Sequence, residues 1–354
     1  MKILHTSDWH LGHTLYNYDR TAEQQSFLRQ LTRIVTEEQP DAMVVSGDIY
    51  HYSSPAAATQ KMYTDAMLNI HQACPEMTIV VTAGNHDSSS KLEIDSNLWQ
   101  HFGLNVVGNI ERTAEEVNLD KHIIEINNEK KTKGYVIAVP HVYPQNFPLL
   151  DTETPRDQRQ ARFFQALLDE VKKRNTAQLP VVLMAHLSIE GSDRSGHDES
   201  IGGIEYVPLS AMGEGYDYLA LGHIHCPQDI KGSHHHARYC GTPLPVSFDE
   251  TYPHSVSIIE LEKGAEPQIS TREIENPIPL VTLPHDPTPF EDALKLLEEY
   301  PEEKPAYLRL NVLTKGYLPP DCNEKASNAA KGKACKYCYI KTTRERQADT
   351  DEST

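Results

Sequence analysis

The apolar residues of this chain follow two spacings, one typical of buried strands and the other of amphipathic helices. Short runs rich in valine, isoleucine and leucine predict buried strands. Five such runs occur, at residues 2–7, 43–47, 79–84, 181–185 and 218–222. Elsewhere apolar residues recur every three or four positions, which predicts helices. The predicted helices cover residues 21–38, 54–73, 91–102 and 156–173.

The order of these segments predicts an α/β fold. Strand and helix alternate through the first half of the chain, as they do in layered α/β domains. After Gly222, three more predicted strands follow one another without helices, at residues 237–240, 255–262 and 268–274. We therefore expect two mixed β-sheets flanked by helices.

A domain boundary is predicted near residues 275–279, where two prolines interrupt the pattern. Residues 1–275 form the first predicted domain, and residues 276–343 form a smaller one. The smaller domain reads as a β-α-β unit, with strands at 280–283, 307–312 and 336–341 and helices at 289–300 and 323–331. Residues 344–354 are a polar tail that we expect to be disordered.

Composition narrows the class of protein. No stretch approaches the roughly 18 consecutive apolar residues of a membrane span, and the chain start turns polar too soon for a signal peptide. The six cysteines are too scattered for a disulfide framework, so we expect a reducing cytoplasm. The net charge of −18 opposes tight binding of nucleic acid by the chain as a whole. DNA binding would therefore need a local basic patch or a partner protein.

Each of the five strand-like runs ends in residues that can bind metal ions. They are Asp8, His10, Asp48, Asn85, His86, Asp87, His186, His223 and His225. In open α/β sheets, ligands bind just beyond the carboxyl ends of the strands, so we expect these residues to meet in one site. Asp8 and His10 are two residues apart, and extended backbone would direct both side chains to the same face.

The ligand types point to hard or borderline divalent ions. Oxygen and imidazole donors without a thiolate suit manganese better than structural zinc. Two ions that share a carboxylate can activate water and stabilise an in-line displacement at phosphorus. The competing interpretation is that each histidine only forms hydrogen bonds, as a single histidine at a strand end usually does. Five strand ends with compatible ligands and flanking glycines disfavour it.

These motifs resemble the calcineurin-like metallophosphoesterases and, within them, the family of bacterial SbcD nuclease subunits, which are relatives of double-strand-break repair nucleases. The resemblance covers essentially the whole chain. The matching segments are HTSDWHLGHTL, SGDIYH, TAGNHDSSSKLE, LGHIHCPQ and LPPDCNEKASNAAKGKACKYCYIK. It implies a four-layer fold with two mixed sheets and a small capping domain that contacts DNA.

The resemblance also implies a role for each residue of the site. The first ion would be bound by Asp8, His10, Asp48 and His225, and the second by Asp48, Asn85, His186 and His223. His86 would contact the scissile phosphate and protonate the leaving oxygen, and Asp87 would orient it. His51 would place duplex ends for exonuclease action, although a structural role for it is an alternative.

The implied function is that of a nuclease with two divalent ions, manganese or else magnesium. It would act on DNA as a 3′→5′ double-strand exonuclease and as an endonuclease at hairpins and single strands. The implied partner is an SbcC-type ATPase subunit, bound by a homodimer of this chain. The helices near 55–73 and 91–102 would form the dimer contact, with Met62 and Met67 at the interface. Such chains commonly continue beyond the second domain, so ending at Thr354 would weaken ATPase binding.

Two other functions remain open. One is a phosphatase or nucleotide phosphodiesterase with the same site. Protein phosphatases, however, typically have the segment Val-Asp-Arg-Gly directly after Gly-Asp, and the segment Asn-His-Glu further along the chain. This chain has Ile49-Tyr50-His51 after Asp48, and Asp87 where those enzymes have glutamate. The other is a scaffold that metals only stabilise, which would not need His86.

Some further groups carry weaker signals. His13 is a candidate for contact with the DNA backbone, and packing within its loop is an equal alternative. Cys335 and Cys338 have the spacing of a zinc site without a second pair, so strand packing is preferred. The tract 234–236 is expected in an exposed turn. Basic residues between 325 and 346 are candidates for phosphate contacts or for a solvated surface.

Overall fold

The structure, a computed structural model, describes residues 1–112, 116–128, 131–195 and 206–344. All of the predicted polar tail after Arg344 lies outside the described residues. The chain divides into two compact units. The first comprises Met1–Thr14 and Asp19–Glu275, and the second comprises Leu15–Tyr18 and the chain from Asn276 onward. All six cysteines are free thiols.

The first unit contains short strands and helices that alternate through most of its length. The strands are β1 (Lys2–Thr6), β2 (Ala42–Ser46), β3 (Thr78–Thr82), β4 (Leu104–Val107), β5 (Ile123–Asn128), β6 (Lys131–Ala138), β7 (Val181–His186), β8 (Ser188–Ile189), β9 (Tyr206–Val207), β10 (Tyr218–Gly222), β11 (Gln228–Asp229), β12 (Ala237–Tyr239), β13 (Ser255–Glu260) and β14 (Gln268–Glu273). The α-helices are α1 (Thr21–Glu38), α2 (Ala57–Ala73), α3 (Ser89–Leu92), α4 (Ser96–Trp99) and α5 (Arg159–Arg174).

Two six-stranded mixed sheets form the centre of this unit, as the sequence predicted. The first has the order β14-β13-β1-β2-β3-β4, and the second has the order β11-β12-β10-β7-β6-β5. Strands β1 to β4 are parallel, as are β12, β10, β7 and β6. The carboxyl ends of β1, β2 and β3 are therefore neighbours in one sheet, and those of β7 and β10 are neighbours in the other.

The alternation of side chains along each strand produces four layers. In β2, Met43 and Val45 face an apolar cluster that contains Phe27 of α1 and Met67 of α2. The intervening Val44 packs in a second cluster with residues of the other sheet, so the two sheets lie face to face. A third cluster joins the outer face of the second sheet to α5. The order is helix, sheet, sheet, helix.

Two sequence predictions need correction here. The predicted helix 91–102 is instead α3, α4 and a 3-10 turn at Gln100–Phe102. The break is at Glu93, whose carboxylate accepts the backbone N–H groups of Gly108 and Asn109 and so is fixed toward β4. The proposed interface position of Met67 is also wrong, because Met67 is 1% exposed and lies in the core. Strands β4, β5 and β6 were not predicted.

The second unit is a three-stranded parallel sheet with two helices. Its elements are β15 (Leu280–Thr288), α6 (Phe290–Glu298), β16 (Tyr307–Thr314), α7 (Cys322–Ala330) and β17 (Lys336–Arg344). Leu308 and Leu310 of β16 pack among residues of both helices, so alternate residues such as Arg309 belong to the opposite face. The segment Leu15–Tyr18 belongs to this unit, where the ring of Tyr16 stacks on Tyr339 at 4.7 Å.

In the described parts of the chain, no helix is both long and apolar enough to cross a membrane.

Candidate metal centre

Four of the predicted ligands have left-handed backbone in tight turns after the strands, whereas His186 is the last residue of β7. Asp8 and His10 have φ angles of 52° and 46°, Asp48 has 51° and His223 has 100°. The prediction that extended backbone brings Asp8 and His10 to one face is therefore wrong, although the two side chains do meet. Left-handed backbone is unfavourable for most residues but several-fold more frequent for aspartate and histidine than for others.

Two glycines beside the ligands allow this close packing. Gly47, immediately before Asp48, has a φ of 84°, which glycine adopts without strain. A Cβ at Gly84 would collide with both the backbone nitrogen and the carboxylate of Asp48. The two turns can therefore approach closely only because neither glycine carries a side chain.

The first group of ligands consists of Asp8, His10 and His225. Their donor atoms all lie within 4.8 Å of one another, and the three residues are buried. The Nε2 atoms of His10 and His225 are 3.2 Å apart. The other ring nitrogen of His225, Nδ1, donates a hydrogen bond to Glu250 Oε1 at 3.1 Å, which leaves Nε2 for the site.

The second group meets at the side-chain oxygen of Asn85. This Oδ1 atom lies 3.0 Å from His186 Nε2 and 3.0 Å from His223 Nδ1. His186 Nδ1 donates to the carbonyl oxygen of Ser46 at 2.7 Å, so its Nε2 also faces the site. The oxygen and the two imidazole nitrogens are thus arranged around one small volume.

Asp48 lies between the two groups. Its Oδ2 is 3.8 Å from His10 Nε2 of the first group and 3.4 Å from His186 Nε2 of the second. Its Oδ1 accepts the backbone N–H of His86 at 2.9 Å, which fixes the carboxylate. The carboxylate of Asp48 is therefore within 3.8 Å of a histidine of each group.

The pKa values of these residues show how strongly their charges interact. Burial opposes the charged form of His186, but the charge and hydrogen bond of Asp48 raise its pKa to about 9. Burial likewise opposes ionisation of Asp48, yet His186 and other histidines hold the pKa of that carboxyl well below its usual range. The pKa of Asp8 is raised because burial outweighs the neighbouring histidines.

The donor set fits divalent cations. The Nδ1 protons of His186 and His225 are committed to acceptors, so a divalent ion that displaced the Nε2 protons would meet both Nε2 lone pairs. Two nitrogen lone pairs 3.2 Å apart, as in His10 and His225, repel unless a proton or a cation lies between them. Asp8 and Asp48 supply negative charge that a bound cation would offset.

His86 lies beside both groups but is turned differently. Its Nδ1 donates to the backbone carbonyl of His51 at 2.8 Å, so Nε2 is the atom left for a substrate. The ring meets that of His10 edge-on, with centroids 4.9 Å apart, and stacks on that of His51 at 5.2 Å. The Nδ1 atoms of His51 and His10 are 3.4 Å apart. Three histidines therefore form one edge of the site.

Asp87 acts on the backbone of two turns. Its carboxylate accepts hydrogen bonds from the N–H groups of Ile49, Tyr50 and Gly84, at 2.8–3.1 Å. Burial and the charge of Asp48 outweigh these bonds and raise the pKa of Asp87 to about 6. This arrangement differs from the expected one, in which Asp87 orients the ring of His86. Within the described residues, that ring is instead held by the carbonyl of His51.

Several residues that hold the ligands in place were not predicted from the sequence. The hydroxyl of Ser7 donates to the carboxylate of Asp8, and Glu250 accepts from His225. His141 follows β6 and donates from Nδ1 to the backbone carbonyl of His186 at 3.2 Å. The strand-end rule would have identified His141 if β6 had been predicted. No comparable signal marks Glu250, because it lies in a loop with no apolar pattern.

The weaker candidates lie apart from the two ligand groups or have structural contacts. His13 packs against His51, with ring centroids 4.6 Å apart, as expected for a loop residue. Among the described residues, the clusters able to hold a metal ion do not include Cys335 or Cys338. His234 and His235 are exposed in a turn with left-handed backbone.

The basic residues of the second unit have several roles. The ammonium group of Lys333 donates to three backbone carbonyls at the end of α6, including that of Tyr300 at 2.8 Å. Lys325 pairs with Asp321 at 3.2 Å. Lys336 lies over the ring of Tyr307 at 5.1 Å. Arg346 lies outside the described residues. Lys333 is therefore structural.

Comparisons with known proteins agree with this geometry. Residues 1–227 match the model of the calcineurin-like phosphoesterase family. Three relatives are named as the D subunit of the nuclease SbcCD. That of Rhodobacter capsulatus is 33% identical over 84% of this chain and 75% of its own length. That of Escherichia coli K12 is 29% identical over 90% and 79%, and that of Bacillus subtilis is 31% identical over 75% and 68%.

Proposed function

We propose that this chain, which belongs to the calcineurin-like phosphoesterase family, is a metal-dependent DNA nuclease. It would be the catalytic subunit of an SbcCD-type complex. The proposed reactions are 3′→5′ exonuclease action on duplex ends and endonuclease cleavage of hairpins and single strands, in DNA repair and recombination. The relatives named as SbcCD nuclease subunits support DNA as the substrate. The observation that carries the proposal is the meeting of two ligand groups at Asp48, with His86 beside them.

The proposed ligand sets follow the two groups. Asp8, His10, Asp48 and His225 would bind one ion, and Asp48, Asn85, His186 and His223 would bind the other. When bound, two such ions act as Lewis acids on a phosphodiester and make water a better nucleophile. The shared position of Asp48, within 3.8 Å of a histidine of each group, supports this division.

His86 is proposed to contact the scissile phosphate and to protonate the leaving oxygen from Nε2. The Nδ1–H bond to the His51 carbonyl supports this role, because it fixes the ring and leaves Nε2 as the nitrogen for a substrate. A general acid must be held within hydrogen-bond reach of the atom that it protonates. Asp87 contributes by holding the backbone of both turns that carry Asp48 and His86.

His51 is proposed to place duplex ends beside the site. Burial and the charge of His86 lower the pKa of His51 to about 4, so it is neutral at physiological pH. A neutral imidazole can accept one hydrogen bond and donate another, which suits contact with a nucleotide.

The proposed partners are a second copy of this chain and an SbcC-type ATPase. The net charge of −18 supports a requirement for a partner that binds DNA, because contacts with phosphates dominate the affinity of proteins for DNA. In the second unit, Lys331, Lys341 and Arg344 are exposed basic residues, whereas Arg309 is buried. We propose this unit as a further DNA contact.

A direct test is a cleavage assay with several substrates side by side. Chelator-treated protein should be inactive, and added Mn²⁺ should restore cleavage of blunt duplex and hairpin DNA. End-labelled strands would report the polarity. The alternative function, a phosphatase or nucleotide phosphodiesterase, is supported by the same family match. A strong preference for para-nitrophenyl phosphate over both DNA substrates would favour that alternative and contradict the nuclease proposal.

The proposed role of His51 predicts a selective defect. His51→Ala should slow exonuclease action on duplex ends by roughly ten- to a hundredfold and affect single-strand cleavage much less. Gel assays of both reactions under one Mn²⁺ concentration would measure the ratio. His235→Ala, at an exposed turn position of the first unit, is the control. Equal losses in the two reactions would contradict a role in placing duplex ends.

A further inference from the structure

We infer that Glu250 is a positioning residue for His225, which holds that imidazole in its metal-binding form and tunes one of the two ion sites. The inference rests on the proposed function, since it assigns His225 to an ion. Glu250 lies 25 positions after His225 in the chain, in the loop between β12 and β13. It belongs to neither of the two proposed ligand sets.

The contact itself is a buried carboxylate behind a buried imidazole. Oε1 of Glu250 accepts the hydrogen bond from His225 Nδ1 at 3.1 Å, and the Glu250 side chain has no exposed surface. Its other oxygen, Oε2, accepts the backbone N–H of Val246 at 3.3 Å. A buried carboxylate is costly unless it is paired, so this arrangement persists only because both oxygens have partners.

The direction of the hydrogen bond determines what His225 presents to the site. A carboxylate can only accept, so the proton of neutral His225 must reside on Nδ1. The lone pair is then on Nε2, the atom that lies 3.2 Å from His10 Nε2. Without Glu250, the ring could place its proton on either nitrogen and could rotate away from this contact.

The same loop supports the other side of the first ligand group. The hydroxyl of Thr242 donates to the backbone carbonyl of Asp8 at 2.8 Å, and the backbone N–H of Thr242 donates to the carbonyl of His225 at 3.1 Å. His254 in turn donates to the carbonyl of Thr242 at 2.8 Å. Residues of the loop after β12 therefore bind the backbone of both Asp8 and His225. Glu250 is the loop residue that accepts a hydrogen bond from the imidazole of His225.

The support of the second ligand group is chemically different. The Nδ1 of His186 donates to a backbone carbonyl, that of Ser46, rather than to a carboxylate. A negative charge behind His225 makes its Nε2 a stronger donor than that of His186. Loss of such an outer partner typically weakens metal binding by roughly ten- to a hundredfold. We therefore expect the loss of Glu250 to weaken one ion site and to leave the other nearly unchanged.

The experiment is a Mn²⁺ titration of metal-free full-length protein, with free Mn²⁺ measured by electron paramagnetic resonance. Wild type should bind two ions. Glu250→Gln keeps an acceptor but removes the charge, and it should weaken one of the two sites about tenfold. Glu250→Ala should weaken the same site further, by roughly a hundredfold. Glu273→Gln, the same change at an exposed position of β14, should match wild type.

Two further measurements separate positioning from a general structural role. In a His225→Ala background, Glu250→Gln should not alter binding of the remaining ion, because its effect passes through His225. The melting temperature of the metal-free Gln variant should stay close to that of wild type. Equal weakening of both sites, or a full effect in the His225→Ala background, would overturn the inference.

The outcomes also distinguish this inference from the proposed function. If wild type binds no Mn²⁺, the two-ion site itself is refuted. If wild type binds two ions and both Glu250 variants titrate like wild type, only the role of Glu250 is refuted. The Gln variant decides the question even where the Ala variant fails to fold.

Discussion

Replacing Asp48 with alanine is expected to remove both metal ions and to reduce phosphodiester cleavage by on the order of a thousandfold or more. The physical reason is the position of its carboxylate, 3.4 Å from His186 Nε2 and 3.8 Å from His10 Nε2. Each ion would lose one of four ligands, and the negative charge that draws both cations would be halved. Metal analysis after gel filtration, together with the DNA cleavage assay, would measure both effects.

The melting temperature provides a second readout for Asp48→Ala. A ligand that binds only the folded state raises stability, so Mn²⁺ should raise the melting temperature of wild type and not that of the variant. Asp169→Ala, at an exposed position of α5, is the control, because it makes the same change outside the site and outside the implied dimer contact. If the Asp48 variant still carried two ions per chain, the shared-ligand assignment would be wrong.

His86→Ala is expected to give the opposite combination, with normal metal content and little cleavage. His86 belongs to neither of the two proposed ligand sets. Loss of a general acid typically slows a reaction by about 10²- to 10⁴-fold. The same Mn²⁺ titration and DNA cleavage assays would measure both properties, with His235→Ala, at an exposed turn position of the first unit, as the control.

The choice of ester makes the test of His86 sharper. A nitrophenyl phosphodiester has a leaving oxygen that needs little protonation, whereas the deoxyribose oxygen of DNA must be protonated as it leaves. The His86 variant should therefore lose much more activity on DNA than on the nitrophenyl ester. Equal losses on the two substrates would show that His86 binds the phosphate without acting as an acid. Near-normal turnover of DNA would remove it from the mechanism.

The sequence predicted the two sheets and the ligand-bearing turns because both depend on local patterns. Strands such as Ala42–Ser46 are continuous apolar runs, and the residue types that follow them are few. By contrast, the strand Ile123–Asn128 has one buried residue, Ile126, and half of its residues are polar, so its pattern is weak. In the strand Lys131–Ala138, Gly134 and two lysines similarly interrupt the apolar pattern.

The sequence indicated which residues lie in the site more readily than it indicated their geometry. Left-handed backbone at Asp8 and His10 is set by how the turn packs against Gly47 and Asp48, which a single sequence does not reveal. Asp87 was identified, but its three bonds to backbone N–H groups depend on the approach of two loops. Glu250 is one of 51 acidic residues, and only the fold brings it to His225.

The left-handed conformation of four proposed ligands has a consequence for protein engineering. Such backbone costs a residue with a side chain about 1–2 kcal/mol, and glycine adopts it without that cost. Glycine at His10 or His223 would therefore relax the local backbone, whereas glycine at Asp8 or Asp48 would also remove a carboxylate that accepts a backbone N–H. A screen for heat-resistant variants that ignored activity would be drawn toward His10 and His223. Each such variant would lack a proposed ligand, so any such screen must select for metal binding at the same time.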